Sequence, residues 1–195
     1  MSELTLIERA KAILDILDAY TQDVKIFPRL IVPSGIDREA MKQFAHRAIV
    51  RTVYSHIEAM AYLMKQVSLA PELSPEDLFS SAELALLRED EYFLDGNGKA
   101  QRRSARISTL NNLRFSFDTF ARATKITSRL PVHEHGWQFI KEGNDIRDRI
   151  THPKQPSDLF ISDEQLGRVL DGHTWFINNL VPCLVEAFHS ILPKP

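Results

Sequence analysis

Apolar residues recur at spacings of three and four along most of this chain, and that period strongly limits what it can fold into. Such spacing places the apolar side chains on one face of an α-helix. Strict alternation of apolar and polar residues, which marks a strand, is nearly absent, and only Val24 to Val32 is compatible with a short strand. In the first such stretch the apolar positions are Leu6, Ile7, Ala10, Ile13, Leu14 and Leu17.

Residues that start and stop helices divide the chain into six predicted helices. Asp37 and the Ser74-Pro75 pair are typical helix starts, and Ser162 to Gln165 matches a capping box. Thr21 to Ser34 is predicted to be a connector, Asp95 to Lys99 a turn, and Pro182 a kink. The predicted helices cover about 4–17, 37–68, 75–90, 104–129, 134–151 and 162–191. We therefore predict an all-α protein, an up-and-down type helical bundle of about five or six helices, as a single domain over residues 1–195.

Composition excludes several classes of protein. The chain is 44% hydrophobic and 26% charged, as in ordinary globular domains, and its apolar runs fall short of the roughly 20 residues of a membrane span. Acidic residues within the first helix argue against a secretory signal, and the single cysteine, Cys183, excludes an internal disulfide. These features predict a cytoplasmic protein without membrane contact. With a net charge of −2, nucleic acid would have to bind a local basic patch.

The most chemically pointed segment lies at the end of the fifth predicted helix. His152 is the last residue before Pro153, where the negative helix end favours a protonated imidazole. Asp148 lies four residues earlier and can accept a hydrogen bond from that ring. Arg147 lies about 140° around the helix from His152, so the two diverge within one chain. Two copies packed about a two-fold axis would bring both arginines and both histidines into one cleft.

Arg147-Asp148-Arg149-Ile150-Thr151-His152 resembles the signature of the HEPN superfamily of small helical-bundle proteins. That signature is an arginine, a polar residue (often Asn, sometimes Asp), about three further residues and a histidine, frequently followed by proline. Its spacing, its place at a helix end and its all-helical context agree with this chain. The strong match covers about ten residues, and the rest of the chain agrees only at the level of fold.

The resemblance implies a metal-independent endoribonuclease that acts as a homodimer, with its active cleft at the dimer interface. His152 would be the general base or acid, Arg147 would hold the scissile phosphate, and Asp148 would orient the histidine. Many such proteins belong to toxin–antitoxin or other host-defence systems, so a cognate antitoxin or another partner protein is implied. Others are non-catalytic RNA-binding or assembly modules, and that alternative stays open.

Local explanations of the same residues also remain open at this point. Arg149 can pair with Asp145, and His152 can simply cap the helix. Glu58 lies between two tyrosines of the second predicted helix, either as a supporting acid that contacts Arg147 or His152, or as a surface acid. A plain structural bundle without RNA affinity is the third possibility for the whole chain.

A basic stretch is the predicted RNA-binding surface. It would start a helix near residue 104 and continue along it as one stripe, although a solvated helix face is the other interpretation. Its members are Arg102, Arg103, Arg106, Arg122 and Lys125. His133-Glu134-His135 lacks a second His or Cys cluster, and the chain has no Gly-rich phosphate loop. We therefore predict no metal site and no cofactor, and a buried Cys183.

Overall fold

The computed structural model describes residues 4–26 and 37–191. Helices take up 74% of these residues, and the predicted class, an all-α helical bundle, is confirmed. The sequence predicted six helices, and the structure has seven α-helices in the described residues because the third predicted helix is split. The α-helices are α1 (Leu6–Ile26), α2 (Arg38–Ser68), α3 (Pro75–Leu78), α4 (Ser81–Leu87), α5 (Thr109–Thr124), α6 (His135–Thr151) and α7 (Asp163–Ile191).

Two short 3-10 helices, Pro71–Leu73 and Pro156–Leu159, and a two-stranded antiparallel sheet complete the described elements. The strands are β1 (Asp90–Leu94) and β2 (Ala100–Ser104), with Tyr92 opposite Arg102. Within the described ranges, none of the helices is both long and apolar enough to cross a bilayer.

Three sequence predictions about element boundaries are corrected by the structure. Helix α1 continues to Ile26, so the start of the predicted connector is helical, as are the first residues of the possible strand at 24–32. The remainder of both segments, 27–34, lies outside the described residues. The predicted helix from 75 to about 90 is two short helices, because Phe79 is extended and Ser80 forms a new capping box with Glu83.

The third correction is the hairpin, which the sequence patterns missed. Its strands lie between the third and fourth predicted helices and overlap each by a single residue, and β2 is exposed along its whole length. The predicted turn between them is present: the Asp95 carboxylate accepts the backbone N–H groups of Asn97 and Lys99, and Gly98 has a φ of 73°. An exposed strand needs no alternation of apolar and polar residues, so its sequence carries no strand pattern.

The described residues form two compact units, and the single domain predicted over 1–195 stays a prediction. The first unit contains residues 4–14, 60–130 and 183–191. Lys65 is fully buried there, with its ammonium 2.6 Å from a Glu89 carboxylate oxygen and 2.8 Å from Asn112 Oδ1. Cys183 is buried, as predicted.

The second unit contains residues 15–26, 37–59 and 131–182, and it holds the segment of interest. Here α2, α6 and α7 pack closely at Gly143, which has no side chain to hold them apart. A Cβ atom on Gly143 would lie 2.5 Å from the hydroxyl of Tyr54 and 3.2 Å from a methyl carbon of Val169. Tyr54 is only 2% exposed, so its ring has little room to move.

Replacing Gly143 by alanine is therefore expected to lower the free energy of unfolding by about 1–3 kcal/mol, since the added methyl group overpacks this contact. Gly167→Ala is the matched control, because its Cβ would meet nothing within 4 Å inside α7. That variant should gain roughly 0.5–1 kcal/mol from helix propensity. Urea unfolding followed by circular dichroism measures both, and equal stabilities for the two variants would refute the packing assignment.

Candidate functional site

Helix α6 ends at the segment that the sequence singled out. Ile146 and Ile150 are buried and fix which face of the helix points inward. His152 is the first residue to leave the helix, with φ −125° and ψ 59°, and its backbone N–H donates to Asp148 O at 3.0 Å. Pro153 follows and prevents continuation of the helix. The side chain of His152 is therefore exposed at the negative end of α6.

Helix α2 holds this helix in place through backbone carbonyls. The hydroxyl of Tyr54 donates to Ile140 O at 2.6 Å, and the buried position raises the pKa of Tyr54. Nearer the helix end, Arg51 Nη2 donates to Ile150 O at 3.2 Å. That oxygen is one of the last carbonyls of α6, which lack partners within the helix itself.

Arg147 is held by two carboxylates. Its Nη2 lies 2.5 Å from Glu58 Oε1, and its Nη1 lies 2.8 Å from Asp148 Oδ1. Burial opposes the charge on Arg147, but the Asp148 hydrogen bond and the Glu58 charge outweigh it and raise the pKa of the guanidinium. The contact that we predicted between Glu58 and Arg147 is present, and the supporting role of Glu58 in a functional site stays a prediction.

Asp148 does not make the hydrogen bond to His152 that we predicted. Its Oδ1 accepts from Arg147, and its Oδ2 accepts from Asn144 Nδ2 at 3.2 Å. Within the described residues, the imidazole of His152 has no hydrogen-bond partner. Both groups line one groove, but the two carboxylate oxygens of Asp148 accept hydrogen bonds from other residues. The predicted ring hydrogen bond is therefore absent here, and the orienting role of Asp148 in a functional site stays a prediction.

The site opens into a surface groove of about 550 Å³ beside the end of α6. Arg147 is not among the residues that line it. The structure therefore brings His152 and Asp148 to the groove, whereas Arg147 faces Glu58, in line with the divergence expected from their spacing. The lining residues are Asp148, Arg149, His152, Lys154 and Asp158.

The segment after His152 is also anchored, and here the predicted Arg149–Asp145 pair is absent. Arg149 Nη1 instead donates to Phe160 O at 3.0 Å and Ser157 O at 3.4 Å. Helix α2 contributes again, since Arg47 Nη1 donates to Leu159 O at 3.1 Å. One wall of the groove is thus a loop that is hydrogen-bonded to two helices.

The basic residues do not form the single helical stripe that we predicted. Arg102 and Arg103 lie on strand β2, where the sequence pattern had suggested the approach to a helix. They face acids across the hairpin: Arg102 lies 3.4 Å from Asp90, and Arg103 makes two hydrogen bonds of 2.8 and 2.9 Å to Glu91. Arg106 is exposed in the segment before α5.

Arg122, by contrast, is a structural residue of the first unit. Its Nη1 lies 2.5 Å from Glu83 Oε1, its Nη2 donates to Leu78 O at 2.8 Å, and its guanidinium lies 4.8 Å from the centre of the Phe79 ring. Lys125 ends α5 and is exposed. The RNA-binding role predicted for these residues stays a prediction, and Arg122 has a packing role in addition.

The structure also contains a pair of histidines, one buried and one half-buried, that the motif analysis passed over. His56 Nδ1 lies 2.9 Å from His173 Nε2, and the ring of Tyr20 stacks on His56 with centroids 4.7 Å apart. Burial lowers the pKa of His56 to about 3 and that of His173 to about 4. His56 is 1% exposed and is closed to substrate, while His173 is half-buried beside it. The sequence offered one signal for this burial: His56 lies three residues after Val53, on the same apolar face of the helix.

The His133-Glu134-His135 segment, which the sequence analysis considered for metal binding, leads into α6, with Glu134 as the cap residue and His135 as the first helical residue. Glu134 accepts a hydrogen bond of 2.7 Å from Trp175 Nε1, and His135 packs edge-on against Phe139 with ring centroids 4.5 Å apart. Within residues 4–26 and 37–191, there is no group of three or more His, Cys, Asp or Glu side chains that could hold a metal ion.

We expect Glu83→Gln to lower the free energy of unfolding by about 1–2 kcal/mol at pH 7, because it removes the charge opposite Arg122. The Arg122 hydrogen bond, with those of Ser80, lowers the pKa of Glu83 from 4.5 to about 2 in the folded state. The contribution is therefore complete above pH 4.5 and is lost as the pH falls toward 2.

Urea unfolding of both proteins at pH 7 and pH 3 tests this, with a smaller difference expected at pH 3. Glu164→Gln is the control, since that carboxylate is 76% exposed in an i,i+4 pair with Arg168 and should contribute under about 0.5 kcal/mol. A difference between wild type and Glu83→Gln that does not change with pH would contradict the assignment.

Comparison of the chain with models of known protein families, with curated proteins and with solved structures gives no match. The HEPN resemblance therefore depends on the Arg147-to-His152 motif and its place at a helix end. The function that follows from it is a proposal.

Proposed function

We propose that this chain binds RNA and cleaves it without a metal ion, with His152 and Arg147 as the reacting and phosphate-binding groups. One observation carries the proposal: an exposed histidine and a fully charged arginine lie five residues apart at the same anchored helix end. An imidazole can exchange protons near neutral pH, and a guanidinium can bind two phosphate oxygens at once.

In the proposed reaction, one His152 accepts the proton of a ribose 2′-hydroxyl. The 2′-oxygen then bonds to the adjacent phosphorus, and the bond from phosphorus to the 5′-oxygen breaks. A second His152, protonated at the start, gives its proton to that leaving oxygen. The products are a 2′,3′-cyclic phosphate end and a 5′-hydroxyl end. Arg147 offsets the negative charge that develops on the non-bridging oxygens.

A homodimer supports this chemistry better than one chain. His152 lines the groove while Arg147 faces Glu58, so a single copy presents the two groups in different directions. Two copies related by a two-fold axis would supply both histidines and both arginines to one cleft, so that one histidine accepts a proton and the other gives one at the same phosphate. A toxin or defence role in the cytoplasm, with a cognate antitoxin or other partner protein, belongs to the same proposal.

The alternative is a non-catalytic HEPN-like interaction module in a defence or regulatory assembly. A specific observation favours it: two carboxylates, from Glu58 and Asp148, surround the single guanidinium of Arg147. A phosphate that binds Arg147 must displace or tolerate that negative charge. In this alternative the arginine ties α2 to α6 and serves the fold.

The test of cleavage is incubation of the purified protein with end-labelled single-stranded RNA in excess EDTA. We expect cyclic-phosphate ends from the wild type and a rate about 10²–10⁴ lower for His152→Ala, the range typical of a lost general acid or base. His189→Ala is the matched control, since His189 is also an exposed histidine near a helix end.

Full cleavage by His189→Ala together with loss in His152→Ala supports the nuclease. RNA binding without cleavage by the wild type would favour the interaction module. Equal cleavage by all three proteins would mean that the activity comes from a contaminant, and it would contradict the assignment to His152.

The Asp148→Asn variant tests whether Arg147 binds an RNA phosphate, as the nuclease requires, or only ties α2 to α6, as in the interaction module. The amide oxygen of asparagine can still accept the Arg147 hydrogen bond, but the change removes one negative charge beside the proposed phosphate site. We expect RNA affinity to rise about threefold, measured by fluorescence anisotropy with a 2′-O-methyl oligoribonucleotide that cannot be cleaved at the 2′-oxygen. Asp145→Asn, an exposed acid of α6 with the same charge change, should raise it less. Equal effects would show that only net charge matters.

A further inference from the structure

The groove beside His152 contains two cationic side chains to which the motif assigns no role. Arg149 and Lys154 line it together with His152. Lys154 is exposed, and within the described part of the chain its ammonium has no hydrogen-bond or ion-pair partner. A positive side chain in a groove that it shares with an exposed histidine is placed to contact an anion.

The two acids that line the groove are engaged elsewhere. Asp148 binds Arg147 and Asn144, as described above. Asp158 accepts the backbone N–H of Lys154 at 2.8 Å and that of Gln155 at 3.1 Å. The Lys154 hydrogen bond is the largest reason why the pKa of Asp158 is lowered, so its carboxylate stays charged and committed to the loop. Among the charged side chains that line the groove, Lys154 is therefore the one whose charged group makes no hydrogen bond or ion pair within the described residues.

The same hydrogen bonds fix the backbone of the loop. Asp158 holds the main chain at Lys154, and Arg149 holds the carbonyls of Ser157 and Phe160. The Lys154 backbone is thus set close to His152 before a ligand arrives, which lowers the entropy lost on binding.

Arg149 anchors one wall of the groove. Its Nη1 makes both loop hydrogen bonds, whereas its Nη2 is buried and has no acceptor within the described residues. An atom with no accessible surface is out of reach of a ligand in the groove, so Arg149 serves to hold the loop that carries Lys154.

We propose that Lys154, on the loop that Arg149 positions, forms a second phosphate subsite, which binds a phosphate of single-stranded RNA next to the one that reacts at His152. The inference rests on the proposed function for its ligand, and it assigns residues that the Arg147-to-His152 motif leaves without a role. Lys154 supplies a point charge to the phosphate, and Arg149 holds the loop in place through the carbonyls of Ser157 and Phe160. The subsite contributes to RNA affinity and to the register of the strand, and it takes no part in proton transfer.

The test measures binding of a 2′-O-methyl oligoribonucleotide by fluorescence anisotropy over a range of KCl concentrations. We expect Lys154→Ala to weaken binding about threefold to tenfold and to reduce the slope of log K against log salt by about 0.7, the value for one phosphate contact on a single strand. Lys154→Arg should retain most of the affinity. Lys11→Ala, an exposed lysine of α1, is the charge-matched control and should behave like the wild type.

A cleavage assay on the same proteins separates this subsite from the catalytic proposal. Lys154→Ala should raise KM and leave kcat within about twofold. If the wild type cleaves RNA and Lys154→Ala matches Lys11→Ala in Kd, salt slope and KM, the subsite is wrong and the nuclease stands. If the wild type binds without cleavage and Lys154→Ala alone weakens binding, the subsite stands and the nuclease is wrong. A wild type that does not bind the oligonucleotide overturns both.

Discussion

The hold of α2 on the end of α6 is the constraint on which the candidate site depends. Tyr54, Arg51 and Glu58 each contact α6: the first two bind its carbonyl groups, and the third pairs with Arg147. Gly143 permits the close approach that the Tyr54 contact requires. Because these contacts fix both the rotation and the end of α6, His152 emerges at a defined point beside the groove.

The cationic side chains around that helix end differ in how many acids they pair with. Arg147 is enclosed by acids, while the groove a few residues away keeps Lys154 without a partner among the described residues. In the proposed function, an incoming phosphate meets Lys154 more easily than it meets Arg147, which both Glu58 and Asp148 already bind. In a homodimer, engagement of the groove would bring the strand to the site before the Arg147 carboxylates have to yield.

The sequence predicted long amphipathic helices well and exposed elements badly. Helices α2 and α6 were recognised with nearly correct bounds, because buried residues such as Ile146 and Ile150 repeat at the helical period. The hairpin was missed because β2 buries no face and so has no pattern to read. The break at Phe79 between α3 and α4 was missed because Ser80 and Glu83 start a new helix there, and the spacing of apolar residues carries no information about such caps.

At the candidate site too, the sequence predicted which residues lie at the helix end but not which partners their side chains bind. The motif named Arg147 and His152, and helical geometry predicted that they diverge within one chain. In the structure His152 lines the groove, whereas Arg147 pairs with Glu58 and is not among the lining residues. The motif did not reveal that Asp148 binds Arg147 and Asn144 in place of the histidine, because side-chain partners depend on packing between distant segments. Arg122 illustrates this too: a charge expected on an RNA-binding stripe is paired with Glu83 from a segment nearly forty residues away.

The most direct test of the central claim, that the end of α6 and its groove are where RNA binds, is photo-cross-linking of 4-thiouridine RNA followed by mass spectrometry of the peptides. The account predicts cross-links concentrated in peptides from residues 147–160, and their loss when unlabelled RNA competes. Cross-links confined to other segments, or none above a protein of similar charge, would contradict it.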